Sequence, residues 1–450
     1  MDNLERRKNF NILVTLAIPV ILEEILTTLL QYVDMAMVGR LGAAATSSVS
    51  LTTTVNWLIG NIFASIGVAV VAMVSSAYGA GDFDKIKRVT NQVVIYTLVS
   101  GLLVSCAAVA LSPVIPVWMQ ADVSIRAQAS EYFRIISIPI LFRAATIICA
   151  SALRAVKDTR TPMLVNLFSN ILNVILNYLL IYRASMGVRG AAIATAVSSA
   201  LCGLFMFVLM MKNSLLRTPI KLKVEKRVLN ETVKIGSPAL ATTMVSCMGH
   251  IVFASLVSSM GTTIFAAHSI ALSAETVFYL PGFGLRSATS TLIGISVGEN
   301  NYDKFRSVVR QSILLTIGMM AFSGLMLFLF ASRIMAIFSP DAEVIAMGSR
   351  VLRLIAVSEP LFGLMIVSEG IHYGMGQSKT PFVVTTIGSW GIRILFTVVC
   401  VYFLHTGLFE VWICMFADNA FRALAMSIPL FTGGAKRNFY KRREDLEISC

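Results

Sequence analysis

The sequence predicts an all-α integral membrane protein with twelve transmembrane helices. Of its 450 residues, 56% are hydrophobic and 14% are charged, against about 25% charged in an average soluble domain. The mean hydropathy is +0.78. Twelve apolar runs are each long enough to cross a hydrocarbon core about 30 Å thick as a helix. Strands are not expected, because the runs are continuously apolar and do not alternate in short segments.

The twelve spans form two sets of six. In the first half they are predicted at residues 12–38, 50–78, 92–117, 131–152, 162–183 and 189–211. In the second half they are predicted at residues 236–258, 268–297, 311–331, 350–372, 381–404 and 408–431. The N-terminal segment MDNLERRKNF is too polar for a cleaved signal peptide, so the first span is expected to stay in the mature protein.

The charge distribution predicts the orientation of the chain. The net charge is +13, and most of the 37 Lys and Arg residues lie at the termini and in alternate short loops, which fall on one side of the membrane. By the positive-inside rule that side is cytoplasmic, and both termini lie there. The predicted location is therefore the inner (plasma) membrane. The basic residues are expected to contact anionic membrane lipids, and no nucleic-acid partner is predicted.

The second half of the chain repeats the first. Pro19 and Pro238 are 219 residues apart, and at the same offset YGAGDFDK (78–85) coincides with VGENNYDK (297–304). Six spans return the chain to its starting side. The two halves are therefore expected to have the same orientation and to be related by a pseudo-twofold axis along the membrane normal.

The repeat also predicts the domain organisation. Residues 1–210 form an N-lobe, 211–230 a basic cytoplasmic linker, and 231–450 a C-lobe. Two six-helix bundles of this kind are expected to enclose a central cleft, which opens to each side of the membrane in turn.

Polar residues cover one face of the first span. On a helical wheel of about 100° per residue, this face holds Glu23, Glu24, Thr27, Gln31 and Asp34. A charge at the bilayer centre costs at least about 2.5 kcal/mol when it is unpaired, which makes Asp34 a candidate functional residue. The alternative is a structural ion pair with Arg40 or Arg143.

The fifth and sixth spans carry further polar stripes. One face of the fifth span holds Asn166, Asn170, Asn173 and Asn177, and one side of the sixth holds Ala191, Thr195, Ser198 and Ser199. Amides within the bilayer need hydrogen-bond partners from each other, a neighbouring helix, water or an ion. Taken singly, such residues more often hold helices together than bind a ligand.

The spans of the second half also contain acidic residues: Glu275, Glu359 and Glu369. Glu359 precedes a proline near the end of a span and is expected at the membrane interface. Asp418 and Arg422 are spaced i, i+4 and are expected to neutralise each other. Arg286 and Arg393 are expected to pair with second-half acids.

With these stripes, the segments QYVDMAMVGRLG (31–42), SAYGAGDFDK (76–85) and LRAVKDTRTP (153–162) resemble the multidrug and toxic compound extrusion (MATE) family. The resemblance extends over nearly the whole chain. It implies a V-shaped, two-lobed, twelve-helix antiporter, monomeric and without a cofactor. Such a protein exports small amphipathic compounds, typically organic cations, in exchange for inward Na⁺ or H⁺.

The resemblance also implies a cation site in the N-lobe, formed by Asp34, Asn173, Asn177 and Thr195, with the carbonyl of Ala191 as a candidate further oxygen. Position 177 is Asn where several family members carry a second carboxylate, so one Na⁺ or one proton would neutralise the site. Oxygen ligands suit Na⁺, and a lone buried aspartate can also carry a proton. The coupling ion therefore stays open between Na⁺ and H⁺.

A second cation site, which some members build in the C-lobe, is not expected here. Its two acidic positions correspond to Ser246 and Phe362 in this chain, unless Glu359 or Glu369 replaces them. Residues expected to contact substrate in the cleft are Glu23, Glu24, Thr27, Gln31, Asn170, Glu275 and Glu369.

Two other functions agree less well with the sequence than efflux does. A flippase of lipid-linked sugars from the same superfamily is expected to carry several cationic residues for pyrophosphate, whereas acids dominate the first span. An integral-membrane enzyme is expected to carry a motif such as HExxH or GxSxG, and the sequence contains neither. We therefore expect a transporter without enzymatic activity.

Overall fold

The computed structural model describes residues 3–448, and all regular structure within that range is helical. The first half contains α1 (Asn3–Gly39), α2 (Ala43–Ala80), α3 (Phe83–Leu111), α4 (Ile115–Trp118), α5 (Val123–Ser137), α6 (Ile140–Ala155), α7 (Arg160–Asn177) and α8 (Gly187–Lys212). The second half contains α9 (Lys226–Ser258), α10 (Thr262–Gly298), α11 (Tyr302–Phe338), α12 (Ala342–Gly374), α13 (Lys379–Thr386), α14 (Leu395–Val398), α15 (Leu408–Phe431) and α16 (Gly433–Ile448).

Two α-helices change to π-helix part of the way along their length. α7 continues as a π-helical turn over Tyr178–Arg183, and α13 continues through π-helical turns at Ile387–Ile394 and Val399–Phe403 on either side of α14. π-Helical turns of this kind occur frequently at functional sites in proteins.

The predicted number of spans is confirmed. Within residues 3–448, eleven helices are long and apolar enough to cross a membrane, and α5 with α6 supplies a twelfth as one broken span. The two parts of that span are bent by 50° at a break that contains Pro139. The fourth span was predicted as a single run at 131–152, and the structure replaces it with this bent pair, which reaches Ala155.

The sequence repeat appears in the backbone as a repeated turn. Gly81 ends α2 with φ +70°, and Asn300, 219 residues later, has φ +55°. Asp82 and Asn301 then cap α3 and α11, and the Oδ1 atom of each accepts the backbone N–H three residues on at 2.8 Å. Side-chain acceptors at this position satisfy N–H groups that have no partner within the helix. The matching loop motifs therefore specify the same helix-to-helix turn twice.

The chain divides into two compact units. One unit is Leu22–Gly236, and the other combines the chain up to Ile21 with the chain from Ser237 onward. The core of the first contains fully buried side chains from α2, α5 and α6, among them Phe63, Met73, Phe133 and Leu153. The core of the second contains buried side chains from α9, α10, α11, α12 and α15, including those of Leu327, Met335, Leu352 and Trp412. The lobe and linker boundaries at 210 and 230 remain predictions.

Part of the predicted linker is hydrogen-bonded to α3. The Asn91 side chain donates to the Lys221 carbonyl at 2.7 Å and accepts from the Lys221 N–H at 2.8 Å. The neighbouring Gln92 side chain donates to the Lys223 carbonyl at 2.8 Å. These hydrogen bonds hold this part of the linker against α3.

Within the unit Leu22–Gly236, α6 and α8 approach closely at Gly203. A Cβ atom on Gly203 would lie 2.7 Å from Phe142 Cα and would overlap the Phe142 carbonyl. Small residues that let two helix backbones meet are a principal means of helix association in membranes.

The contact at Gly203 predicts a difference between two glycine substitutions. Gly203→Ala forces α6 and α8 apart, and we expect a lower melting temperature in detergent, with a cost on the order of 1–3 kcal/mol. The matched control is Gly318→Ala in α11, because a Cβ there meets nothing within 4 Å. We expect the control to leave the melting temperature unchanged or slightly raised. Equal effects of the two substitutions would contradict the packing assigned to Gly203.

Candidate cation site

The structure brings Asp34 together with three polar residues of α7 and α8. Asn177 Nδ2 donates to Asp34 Oδ1 and also to Asn173 Oδ1, the latter at 3.1 Å. Asn173 Nδ2 in turn donates to Thr195 Oγ1 at 3.3 Å. The four side chains therefore form one continuous hydrogen-bonded chain across α1, α7 and α8.

Asn177 is the most enclosed member of this chain. Its side chain is fully buried, and its Oδ1 atom has no hydrogen-bond partner among the described residues. A buried amide oxygen without a donor is an unsatisfied acceptor, which a cation can satisfy. The donor set of carboxylate, amide and hydroxyl oxygens therefore fits a hard cation such as Na⁺, or a proton on the carboxylate.

The end of α7 that carries Asn177 is attached to α1 through the π-helical turn that follows it. Asn177 is the last residue of α7 before the π-helical turn, and Tyr182 in that turn donates to the Met37 carbonyl of α1 at 2.8 Å. This bond ties the end of α7 to the part of α1 that carries Asp34. The relative position of Asp34 and Asn177 therefore depends on the π-helical turn.

Ala191 and Tyr132 complete the surroundings of the site. Ala191 is buried on α8, one turn before Thr195. The Tyr132 hydroxyl of α5 lies near the Thr195 side chain and within electrostatic range of Asp34. Sequence reasoning did not identify Tyr132, because an aromatic residue near the start of a predicted span carries no polar periodicity of its own.

Glu23, at the other end of the polar face of α1, is ion-paired. Arg154 Nη2 of α6 lies 2.7 Å from Glu23 Oε1 and 2.9 Å from Oε2, and Asn166 Nδ2 donates to Oε1 at 2.6 Å. The Glu23 charge is balanced by Arg154 in this structure, and the predicted contact of Glu23 with substrate stays a prediction. Sequence reasoning missed Arg154 because the fourth span was ended at residue 152, while α6 runs to Ala155.

Between Glu23 and Asp34, a further hydrogen bond joins α1 and α7. Asn170 Nδ2 donates to Thr27 Oγ1 at 3.2 Å. Each of the four asparagines of the α7 stripe thus has a polar partner, three on α1 and one, for Asn173, on α8. The stripe therefore holds helices together along most of its length, and its last member reaches Asp34.

The remaining predicted substrate residues of α1 are more accessible. Gln31 is exposed and Glu24 is partly exposed. Glu24 also lies within electrostatic range of Arg154. Thr27 and Asp34 on the same face are partly exposed as well, so Gln31 is the most exposed residue of this polar face.

In the second unit, Glu369 belongs to an ion pair. Arg286 Nη1 lies 2.9 Å from Glu369 Oε2, and the Tyr373 hydroxyl donates to Oε1 at 2.8 Å. The expectation that Arg286 pairs with a second-half acid is thus met by Glu369. The predicted role of Glu369 in substrate contact stays a prediction.

Asp418 lies between two arginines. Arg422 Nη2 is 2.7 Å and Arg393 Nη2 is 2.9 Å from Asp418 Oδ2, and both arginines also donate to Asn419 Oδ1. The structure contains the expected Asp418–Arg422 pair and adds Arg393 to it. All of these side chains are buried, so the cluster is a structural charge network within the second unit.

Glu359 is not interfacial, contrary to the expectation from its neighbouring proline. It is fully buried, α12 continues through Pro360, and neither carboxylate oxygen has a hydrogen-bond partner among the described residues. Glu275 is also buried, and it lies within electrostatic range of Glu359 and Arg393. Glu275 therefore lies inside the second unit, and its predicted contact with substrate is untested.

The family model described as MatE matches this chain twice, over residues 19–179 and 238–399. The two matches begin at Pro19 and Pro238, the pair that defines the 219-residue offset. The internal repeat predicted from the sequence is thereby confirmed.

Curated relatives match along almost the whole chain. It is 26% identical over 441 residues to the probable multidrug resistance protein NorM of Thermotoga maritima, covering 96% of this chain and 94% of that protein. It is 25% identical over 432 residues to the multidrug export protein MepA of Staphylococcus aureus, covering 94% of each.

Solved structures share the fold. A crystal structure of MATE in complex with MaL6 has a TM-score of 0.90 at 20% identity and covers 97% of each chain. A MOP superfamily transporter from Pyrococcus furiosus has a TM-score of 0.88 at 22% identity and covers 96% of each chain. The all-α, twelve-span architecture predicted from the sequence is therefore that of known transporters.

The Glu23–Arg154 pair predicts a non-additive effect on stability. Arg154→Met leaves the Glu23 carboxylate without its cation, and we expect a loss of roughly 3 kcal/mol or more. Adding Glu23→Gln to Arg154→Met removes the stranded charge and should recover much of that loss. Thermal unfolding of the three variants in detergent measures both values. If the double variant were less stable than Arg154→Met alone, the pairing would be contradicted.

Proposed function

The chain belongs to the MatE family of transporters, and on that premise we propose that it is a secondary active multidrug efflux antiporter. It exports amphipathic, typically cationic organic compounds across the inner membrane, in exchange for inward Na⁺ or H⁺. It acts as a monomer among membrane lipids, with both termini in the cytoplasm. The names of its relatives NorM and MepA support export of several drugs.

The observation that carries the ion-coupling part of the proposal is the state of Asp34. Its carboxylate accepts a hydrogen bond from Asn177, and no lysine, arginine or histidine among the described residues forms an ion pair with it. Glu23, Glu369 and Asp418 each have an arginine within 4 Å. Asp34 is therefore a membrane carboxylate with hydrogen-bond partners but without a protein cation, and an external cation balances its charge.

The number of carboxylates at the site determines how many cations it binds in each transport cycle. Position 177 is an asparagine, so Asp34 supplies the one formal charge and Asn173, Asn177 and Thr195 supply neutral oxygens. One Na⁺ or one proton neutralises the site. We therefore propose that one monovalent cation binds per transport cycle at this position.

Coupling follows when the cation and the substrate favour different states of the protein. A ligand shifts a conformational equilibrium only by the difference between its affinities for the two states. In the proposed cycle, a cation at Asp34 favours the state that releases substrate, and substrate favours the state that releases the cation. By linkage the two effects are reciprocal.

Asp34→Asn tests the proposed coupling site. The substitution keeps the size of the side chain and the hydrogen bond with Asn177 but removes the charge, so we expect ion-driven efflux to be lost. The measurement is transport of the fluorescent cation rhodamine 6G in everted membrane vesicles, with an imposed Na⁺ gradient in one series and an imposed pH gradient in another. The series that drives transport in the wild type identifies the coupling ion.

The control for this test is Asp84→Asn, because Asp84 is an exposed acid in the first turn of α3. The control should transport at the wild-type rate. Full gradient-driven efflux by Asp34→Asn would refute coupling at this carboxylate.

Asn177→Asp tests the charge of the site. A second carboxylate beside Asp34 should strengthen cation binding, since affinity for hard cations rises with the number of charged ligands. We expect a larger rise in melting temperature on adding NaCl than the wild type shows, because a ligand that binds only the folded state stabilises it. Choline chloride at equal concentration corrects for ionic strength. An unchanged response to Na⁺ and to lowered pH would place the cation elsewhere.

A further inference from the structure

Arg143 differs from the other arginines of the span interiors. The side chains of four arginines each lie within 4 Å of a carboxylate: Arg154, Arg286, Arg393 and Arg422. Arg143 lies near the middle of the bent span Val123–Ala155, and it forms no ion pair with any side chain that the structure describes. Its hydrogen-bond partner is the neutral Asn56 Oδ1 of α2, at 3.4 Å from Nη1.

An arginine in this position is costly unless something balances its charge. An isolated charge within the bilayer is unfavourable, and intramembrane arginines usually pair with an acid or line a route for a solute. Arg143 is partly exposed, and none of its guanidinium nitrogens is among the described atoms that are both fully buried and without a partner, so the group is open to a further ligand. Its planar fork has five N–H donors, and Asn56 accepts from one nitrogen by a long contact, so donors remain for a further acceptor.

The neighbouring helix is shaped to admit the guanidinium. Gly60 lies one turn after Asn56 on α2, and a Cβ atom there would be 3.0 Å from Arg143 Nη2. Any larger side chain would displace the guanidinium from α2. The Arg143 guanidinium therefore lies against α2 at Gly60 and Asn56.

In the second unit, the contact that corresponds to Gly60 and Arg143 contains no charged residue. At the 219-residue offset, Gly60 corresponds to Tyr279 and Arg143 to Phe362. In the second unit the rings of Tyr279 and Phe362 pack with their centroids 5.3 Å apart. The contact between these two helices thus needs no cation in the second unit, where an aromatic pair fills the space.

The register of this comparison is supported by a second contact. In the first unit Ser105 Oγ donates to the Ser137 carbonyl at 2.8 Å. The residues 219 positions later are Gly324 and Ala356, and Gly324 lies against the Ala356 carbonyl. The third and fourth spans of each unit therefore meet at the same positions, which supports Phe362, in the fourth span of the second unit, as the counterpart of Arg143.

We propose that Arg143, with Asn56, is a binding position for the carboxylate of a transported amphiphile. The proposal rests on the export function proposed above and names the residues that would hold the acidic group of a zwitterionic substrate. A carboxylate suits the site because the guanidinium fork matches it with two parallel hydrogen bonds.

Two related dyes test the proposal. Rhodamine 19 and rhodamine 6G share the same cationic ring system, but rhodamine 19 carries a free carboxylate where rhodamine 6G carries its ethyl ester. Fluorescence anisotropy measures the affinity of each dye for the full chain in lipid nanodiscs. The proteins compared are the wild type, Arg143→Gln, Arg143→Lys and, as a control for removing one positive charge, Arg353→Gln. Arg353 is exposed on α12 and donates to Ser332.

We expect Arg143→Gln to weaken rhodamine 19 binding about tenfold or more, while rhodamine 6G binding changes by less than about twofold. Arg143→Lys keeps the charge but loses the fork, so part of the rhodamine 19 affinity should remain. Arg353→Gln should bind both dyes as the wild type does. Retained rhodamine 6G binding shows that each variant is folded.

The outcomes separate this inference from the proposed function. If Arg143→Gln weakens both dyes equally or neither, or if the wild type binds rhodamine 6G but not rhodamine 19, Arg143 does not recognise a carboxylate. In each of those cases export of rhodamine 6G by the wild type leaves the efflux function intact. If the wild type neither binds nor exports either dye, the proposed efflux function itself is contradicted.

Discussion

The arrangement of α1 and α7 depends on one constraint: in the hydrocarbon region of a membrane no water is present to satisfy a polar side chain. The buried polar groups on the α1 face therefore need partners on another helix. Glu23 is satisfied by Arg154 and Asn166, and the hydrogen bonds continue along the stripe to Asp34 and Asn177. Among the acids of this face, Asp34 is the one that no described arginine or lysine neutralises. The candidate cation site is thus the unneutralised end of a network that otherwise holds helices together.

The internal repeat separates what folding requires from what transport requires. The duplicated features are backbone features: the left-handed residue and the side-chain cap between α2 and α3 recur between α10 and α11. Two charges within the spans are not duplicated. Asp34 has Phe253 as its counterpart, and Arg143 has Phe362. At both positions the second unit packs an aromatic side chain where the first carries an ionisable one, so neither charge is needed for the fold itself.

The sequence was sufficient to predict the features that follow from periodicity. A run of apolar residues sets the spans, and the spacing of 3.6 residues per turn places the α7 asparagines on one face. Contacts between helices were harder to predict. The ion pair of Arg154 was missed because a helix end was placed three residues early, and composition alone does not fix such ends.

Glu359 was placed at an interface because a proline usually marks the end of a helix. In the structure α12 continues through Pro360, and the Ala356 carbonyl, which a proline cannot bond, lies against Gly324 of α11. This packing around the carbonyl depends on a neighbouring helix and is not visible in the local sequence. The central claim, that Asp34 holds the coupling cation, is tested most directly by infrared difference spectra of the reconstituted protein, recorded on adding Na⁺ or lowering the pH. The account predicts a carboxyl signal in the wild type that is absent from Asp34→Asn, and the same signal in both proteins would contradict it.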